Sequence, residues 1–218
     1  MRTSKLLILW ILFLAASSPC QDTKQTDPTE RRVRIDLQTT TPINYVSALL
    51  QQAGVWGGIE DYRSDCSPDP EMRIPPLDGT VEDALTRLRG QDNAINWKVQ
   101  GDGILVSRRA TMTWLLDTKI GDFTFYKHDH PEKSTDKLLN LPIVKEQMSK
   151  LNLALRPPEI GFAQPPVDAL PEGRVLLKDA TFRETLNAIA RVDHPRVWLF
   201  RQTTCSGQTT LLIQWVVK

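Results

Sequence analysis

Apolar residues recur at helical spacing early in the chain, between stretches in which apolar and polar residues alternate. The alternation over Val33–Leu37 is typical of a half-buried strand. A helix is predicted next, because Thr41 is a good N-cap, Pro42 suits the first helical position and Gly54 suits the end. Its apolar face consists of Ile43, Val46, Leu49, Leu50 and Ala53. The segment VWGGIEDY then predicts a second strand.

The same order of elements follows again, with one strand added. The segment MRI predicts a short strand, and Thr80 with Asp83 three residues later predicts a helix start that is close to a capping box. The buried stripe of this helix is Val81, Ala84, Leu85 and Leu88. The segments INWKV and ILVS predict an antiparallel pair turned by QGDG. Because each helix has one apolar stripe, it must lie on a sheet face, which predicts an α+β fold of βαβ–βαββ units.

The helix–strand unit at residues 80–99 returns at residues 181–200, with a constant offset of 101 residues. The caps Thr80 and Thr181 correspond, and so do Trp97 and Trp198 in the strands that follow. Few positions are identical, so the correspondence depends on the helix cap, the apolar stripe and the following strand all recurring at the same offset. It predicts two related small modules, with helices packed on small mixed sheets. Chance resemblance between two ordinary helix–strand units is the alternative.

The residues between these two units follow a less regular pattern. TMTWLLD and FTFY predict strands, and TDKLLNLPIVKEQMSKLNL predicts a helix that is broken or kinked at Pro142. The proline-rich stretch at 156–173 predicts an extended surface loop. We therefore expect one module at residues 32–109 and a second, related module at residues 110–218.

The first twenty residues differ in composition from the rest. MRTSK is a short basic start, LLILWILFLAA is apolar and SSPC supplies small residues, an order that predicts a secretory signal peptide over residues 1–20. A flexible leader at 21–31 would follow it. A lipid anchor on Cys20 is the less favoured alternative. No later apolar run approaches the roughly 20 residues of a membrane-spanning helix, so we expect no transmembrane segment in the mature chain.

Residues 33–107 resemble the short N-terminal domain of secretins and TonB-dependent receptors, known as the STN domain. The similarity lies in a T-x-x-x-A-L-x-x-L helix followed by an aromatic-bearing strand, which stands here as TVEDALTRL at 80–88 and loosely as TFRETLNAI at 181–189. The helix PINYVSALLQQAG is similar to the family's first helix. The resemblance implies a location in the bacterial periplasm and binding to other proteins, with no catalytic residues and no cofactor. No channel or receptor barrel follows the module, so the resemblance implies a free-standing exported binding protein.

Charge and cysteine content narrow the classes of partner. The net charge is +1, with both signs interspersed, so the chain lacks the basic face that nucleic-acid binding usually needs. Cys66 and Cys205 are the two cysteines outside the signal peptide. In an oxidising compartment they permit one disulfide, and two unpaired thiols are an equally weighted alternative.

Two segments are candidates for a specific site. His128 and His130, with a nearby carboxylate, are candidate zinc or copper ligands, although a solvated polar loop is the interpretation that we favour. Trp56 lies beside two glycines and is the tryptophan that we expect to be exposed, as a binding surface. Neither segment contains the nucleophile and base of a hydrolase, and the chain has no GxSxG or HExxH motif.

Three functions remain as hypotheses. We favour a non-catalytic interaction module that binds an envelope protein, such as a secretion or outer-membrane receptor component, through sheet edges or loops, because edge recognition leaves almost no sequence motif. The first alternative is a metal-assisted periplasmic enzyme that uses the segment around His128 and His130. The second is an envelope subunit that self-associates by edge pairing.

Overall fold

The computed structural model describes residues 27–37, 39–108, 114–156, 173–192 and 195–216. The predicted signal peptide and residues 157–172 of the proline-rich stretch lie outside these ranges. Helices and strands are interleaved along the chain and the strands form mixed sheets, which confirms the α+β class.

The described residues of the first half contain two helices and five strands. The helices are α1 (Pro42–Ala53) and α2 (Val81–Gln91). The strands are β1 (Arg32–Ile35), β2 (Gly57–Arg63), β3 (Leu77–Thr80), β4 (Ile95–Gln100) and β5 (Gly103–Arg108). A short 3-10 helix, Pro28–Glu30, precedes them and packs beside α2 and β5. Because Pro28 and Thr29 are buried, the end of the predicted flexible leader is part of the folded body.

In the second half, the ranges that the structure describes contain three helices and five strands. The helices are α3 (Pro131–Leu139), α4 (Pro142–Lys150) and α5 (Phe182–Arg191). The strands are β6 (Lys119–Tyr126), β7 (Leu153–Leu155), β8 (Arg174–Thr181), β9 (Val197–Cys205) and β10 (Gln208–Val216). The predicted break at Pro142 is confirmed, because it separates α3 from α4.

Helix ends follow the local signals in the sequence. The Thr41 hydroxyl accepts a hydrogen bond from the Asn44 amide (3.3 Å), and Gly54 ends α1 in the left-handed conformation, with a φ of 62°. Both α2 and α5 begin with a complete capping box, in which the cap hydroxyl and the third helical carboxylate each accept a backbone amide. The repeated caps at Thr80 and Thr181 are therefore real structural counterparts.

Two predicted strands are wrong. Residues 72–74 form no strand, and only Met72 makes an isolated bridge, to Thr40. Pro75 and Pro76 follow directly and lack the amide hydrogens that a longer ladder needs. Of TMTWLLD, the described residues 114–117 form a turn, closed by a hydrogen bond from the Thr118 hydroxyl to the Trp114 carbonyl (2.7 Å). Residues 111–113 lie outside the described part of the chain.

The main sheet has six strands in the order β4-β5-β2-β9-β10-β7. Strand β2 runs parallel to β5 on one side and parallel to β9 on the other, whereas β4–β5 and β9–β10 are antiparallel hairpins. At the far end, β7 runs parallel to β10. Two small antiparallel pairs, β1–β3 and β6–β8, complete the set of sheets in the described residues.

The two halves have the same topology. In each half the first and third strands form a separate antiparallel pair, and the remaining three form one part of the main sheet in the same order, β4-β5-β2 and β9-β10-β7. The counterparts β4 and β9 run in opposite directions, because β4 is antiparallel and β9 parallel to β2. A half turn about an axis across the strands, combined with a shift of three strands along that axis, therefore relates the halves. The half turn places their helices on opposite faces of the sheet.

Each face of the sheet has its own hydrophobic core. The first core holds α1 and α2 against one face, and the second holds α3, α4 and α5 against the other. Alternate residues of β9 serve both cores, since Val197 and Leu199 point into the first and Trp198 and Phe200 into the second. Each helical layer thus covers strands of the other half as well as its own.

One shared sheet replaces the two separate sheets that we expected from the repeat. Strand β2 of the first half pairs with β9 of the second over seven positions, from Gly57 opposite Val197 to Arg63 opposite Thr203. We call this parallel pairing the central joint. It requires a glycine at position 58, because a Cβ there would lie 2.1 Å from the indole of Trp198.

The central joint predicts opposite effects for two glycine substitutions. We expect Gly58→Ala to lower the free energy of unfolding by about 3 kcal/mol, at the upper end of the cost of overpacking a core. Gly90→Ala is the matched control, because a Cβ on that exposed helical residue meets no atom within 4 Å. It should raise the free energy of unfolding by about 0.5–1 kcal/mol through helix propensity. Chemical denaturation measures both values, and a neutral Gly58→Ala would contradict the close contact.

Candidate interaction edges and a buried ion-pair cluster

Strand β4 forms one outer edge of the main sheet. It is joined to β5 by a two-residue turn, in which Gln100 and Gly103 face each other. In such a hairpin the closing pair exchanges its hydrogen bonds and every second residue after it does the same. The backbone amides and carbonyls of Trp97 and Val99 therefore point away from β5. No strand in the described part of the chain pairs with this outer side.

The side chains of β4 give its edge one apolar and one polar face. Val99 is 44% exposed and Trp97 is half-buried, and both point to the face that carries α2. The guanidinium of Arg89 lies 5.8 Å from the centre of the Trp97 ring. Asn96 and Lys98 point to the opposite face and are exposed. A strand added here would gain main-chain hydrogen bonds and would bury Val99.

Strand β7 forms the other outer edge. The amide that follows it, Arg156 N–H, donates to the Leu211 carbonyl of β10 (2.8 Å). Because alternate residues of a parallel strand bond to the same side, the backbone groups of Leu153 and Leu155 point outward. Leu155 is 49% exposed. The two ends of the sheet therefore each present unpaired backbone groups beside an exposed aliphatic side chain, within the described residues.

A row of charges crosses the three parallel strands near their carboxyl ends. Asp61 of β2 lies opposite Arg108 of β5 on one side and opposite Arg201 of β9 on the other. The Arg201 Nε donates to Asp61 Oδ2 (2.7 Å), and Arg108 Nη1 lies 3.8 Å from Asp61 Oδ1. Asp61 is fully buried. This row ties the two hairpins to the strand between them.

The loop between β2 and β3 adds a second carboxylate to this row. Asp69 accepts from Arg108 Nη1 at 2.8 Å and from Arg201 Nη2 at 2.6 Å, and its side chain is 9% exposed. Arg108 also donates through Nε to Asp92 at the end of α2 (2.7 Å). We call Asp61, Asp69, Asp92, Arg108 and Arg201 the ion-pair cluster. It clamps the loop onto the end of the central joint.

The two cysteines outside the predicted signal peptide lie beside this cluster. Cys66 is in the same loop as Asp69, and Cys205 is the last residue of β9. They are at disulfide-bonding distance, with Cα atoms 5.4 Å apart and 139 residues apart in sequence. The structure thus brings together the pair that the sequence left open, and it ties the loop to β9 covalently.

Burial governs the protonation chemistry of the cluster. Desolvation raises the pKa of the Asp61 carboxyl above its ordinary value, although Arg201 and Arg108 act in the opposite direction. Asp61 Oδ1 is buried and accepts no hydrogen bond. The other partners are arginines, which stay charged and do not act as general acids or bases. This arrangement is suited to clamping strands, and it does not resemble a general-base site.

Trp56 is buried, with 3% of its surface exposed, so the expected exposed binding surface is wrong. Its indole N–H donates to Asp102 in the β4–β5 turn (2.7 Å), and the Arg191 guanidinium stacks 4.7 Å from the ring centre. The Trp56 N–H and Arg191 lower the pKa of the Asp102 carboxyl, despite desolvation, which acts against them. Among the tryptophans that the structure describes, Trp114 is the exposed one, at 53%.

The histidine segment lies at the start of α3. His130 is the N-cap residue, and its Nδ1 is 2.9 Å from Glu132 Oε2. In the ranges that the structure describes, no group of three or more His, Cys, Asp or Glu side chains is arranged to hold a metal ion. His128 and His130 therefore remain two neighbouring residues of a surface segment, and the structure adds no third ligand to them.

Local patterns in the sequence do not reveal the residues of the ion-pair cluster. Asp61 lies in the segment VWGGIEDY, which predicts only a strand, and Asp69 lies in the segment RSDCSPDPE, which contains no site motif. Their partners are 39 and 132 residues away from Asp69 in the chain, so no local motif reports them. The one available signal was the proximity of acids to Cys66 in the segment RSDCSPDPE.

Comparisons with protein-family models, with curated proteins and with solved structures find no match for this chain. In the described residues, none of the helices is both long enough and apolar enough to cross a membrane.

The ion-pair cluster predicts that a buried and an exposed aspartate differ strongly in their effect on stability. Asp69→Asn should lower the free energy of unfolding by about 3 kcal/mol, because it removes a carboxylate that pairs with the buried Arg108 and the partly buried Arg201. Asp78→Asn is the matched control: Asp78 faces Arg32 at 3.2 Å, but its side chain is 69% exposed. That change should cost no more than about 1 kcal/mol. Equal losses in urea denaturation would show that the cluster does not clamp the loop.

Proposed function

We propose that this chain is an exported bacterial protein-interaction module without catalytic activity, which binds a protein of the cell envelope through the edges of its main sheet. The observation that carries the proposal is the outer edge of β4. Trp97 and Val99 direct their backbone groups outward there, and Val99 is 44% exposed. An extended segment of a partner can complete these hydrogen bonds and cover the aliphatic side chain.

Three further features support this function. The basic, apolar and small-residue order of residues 1–20 is typical of a secretory signal peptide. Cys66 and Cys205 lie at disulfide-bonding distance, which fits an oxidising compartment. The similarity of residues 33–107 to the STN domain of secretins and TonB-dependent receptors suggests the periplasm and a partner in the envelope.

A binding role also fits the way in which the charged groups are used. The buried carboxylates face arginines in structural pairs. Asp61 with Arg201 joins two strands, and Glu60 with Arg183 (2.8 Å) holds α5 on β2. A metal-assisted enzyme would need His128 and His130 to converge with further ligands, and the described residues supply no such group. The sheet edges are thus the features best suited to recognising another molecule.

Site-specific photo-crosslinking tests the proposal. A photo-reactive amino acid replaces Val99 in the full chain, which is then irradiated in an extract of the bacterial envelope. We expect an adduct with one envelope protein, identified by mass spectrometry. The control carries the same group at Glu82, an exposed residue on the outer side of α2. Identical products from both positions would contradict edge binding. Adducts solely between two copies of this chain would also contradict an envelope partner.

A further inference from the structure

The central joint shows, within one chain, how an edge of the first half pairs with an edge of the second half. In it, β9 accepts β2 as a parallel neighbour on its outer side. The Gly57 amide donates to the Arg196 carbonyl (3.0 Å), which fixes the alternation of bonds along the joint. Residues 198 and 200 of β9 therefore direct their backbone groups toward β2. One half of the duplicated fold supplies one edge, and the other half supplies its complement.

The two outer strands of the main sheet correspond to the two strands of this joint, but their outer sides are not paired with any strand in the described residues. Strand β4 occupies the place of β9 in the first half, and β7 occupies the place of β2 in the second half. With the offset of 101 residues, Trp198 and Phe200 correspond to Trp97 and Val99. These are the same two residues whose backbone groups the β4–β5 hairpin directs outward. The correspondence in sequence and the geometry of the hairpin thus both indicate that β4 directs its backbone groups outward in the same pattern as β9.

We propose that two copies of this chain join head to tail, with β4 of one copy adding as a parallel strand to β7 of the other. The contact repeats the central joint between molecules. Each added copy leaves one β4 and one β7 open at the ends of the assembly, so an envelope partner can still bind there. The inference does not depend on that partner.

The register of the contact follows from the joint. Gly58 lies opposite Trp198, where a larger residue would collide with the indole. Gly58 directs its backbone groups toward β5, away from β9. Ala154 of β7 likewise directs its backbone groups toward β10, away from the open edge. The register of the central joint therefore places Ala154 opposite Trp97 of the other copy. Alanine is the smallest side chain after glycine. Trp97 is half-buried, whereas Trp198 is fully buried, so the Trp97 indole has room to turn away from the single methyl group of Ala154.

Charge and shape beside β7 also fit β4. The same register places Leu155 opposite Lys98 of the other copy. Leu155 lines a groove of about 360 Å³ between β7 and the helices α3 and α4. The groove is lined by Asp136, Leu139, Asn140, Lys145, Met148, Ser149, Leu153 and Leu155. The aliphatic stem of Lys98 can cover Leu155 and Met148 while its ammonium group faces the Asp136 carboxylate.

Two proline substitutions test this contact, because each removes one outward amide that makes no bond within the sheet. Val99→Pro disables β4 and Leu155→Pro disables β7. Light scattering should show that the unchanged mature chain gains mass with concentration. Each variant alone should stay a single chain, and an equimolar mixture should form a complex of two chains and no larger species. Val99→Thr and Leu155→Thr keep the amide and should associate like the unchanged chain.

Other outcomes overturn the proposal. Self-association of Leu155→Pro alone would indicate symmetric pairing of two β4 strands, and self-association of Val99→Pro alone would indicate symmetric pairing of two β7 strands. An unchanged chain that stays single at all concentrations would exclude the contact. If a proline variant does not fold, cysteines provide the second test. A mixture of Lys98→Cys and Leu155→Cys chains should form mixed disulfide dimers, and Lys98→Cys chains alone should form none. Failure of the mixed dimer would overturn the register.

Discussion

The parallel pairing of β2 with β9 is the interaction on which the rest of the structure depends. It joins two three-stranded pieces into one six-stranded sheet, so that each helical layer covers strands of both halves. A sheet of three strands with one helical layer buries only one face. By pairing in opposite orientations, the halves bury both faces of their central strands, and β4 and β7 are the outer strands of the main sheet in the described residues.

Charge and covalent chemistry are concentrated at one end of this joint. Asp61 bridges Arg108 and Arg201 across the three parallel strands, and Asp69 closes the row from the adjacent loop. The disulfide between Cys66 and Cys205 ties that loop to the end of β9. Closing so long a loop contributes on the order of 4–5 kcal/mol in the chain-entropy description. The clamp therefore acts where the two halves meet, and it leaves the outer edges unaltered.

Local features of the sequence were sufficient to predict the helices and the duplication. The caps at Thr41, Thr80 and Thr181 and the single apolar stripes fix where the helices begin and which face they bury. The central position of β2 in the sheet was not predictable in the same way. A central strand buried on both faces usually consists of continuous aliphatic residues, whereas β2 reads GGIEDYR. Gly58 makes room for Trp198, and the acids of β2 pair with distant arginines, so long-range contacts decide the place of this strand. Trp56 was misjudged for the same reason, since Asp102 and Arg191 cover it from elsewhere in the chain.

Amide hydrogen exchange along the central joint tests the account most directly. If β2 and β9 pair, the amides of Ile59, Trp198 and Phe200 exchange only on global unfolding, because each donates across the joint. The outward amides of Trp97 and Val99 in the single chain serve as the reference and should exchange rapidly. The account predicts strong protection for the first set and weak protection for the second. Rapid exchange of both sets would mean that the halves carry separate sheets, and it would contradict the shared sheet from which the cores, the clamp and the edges all follow.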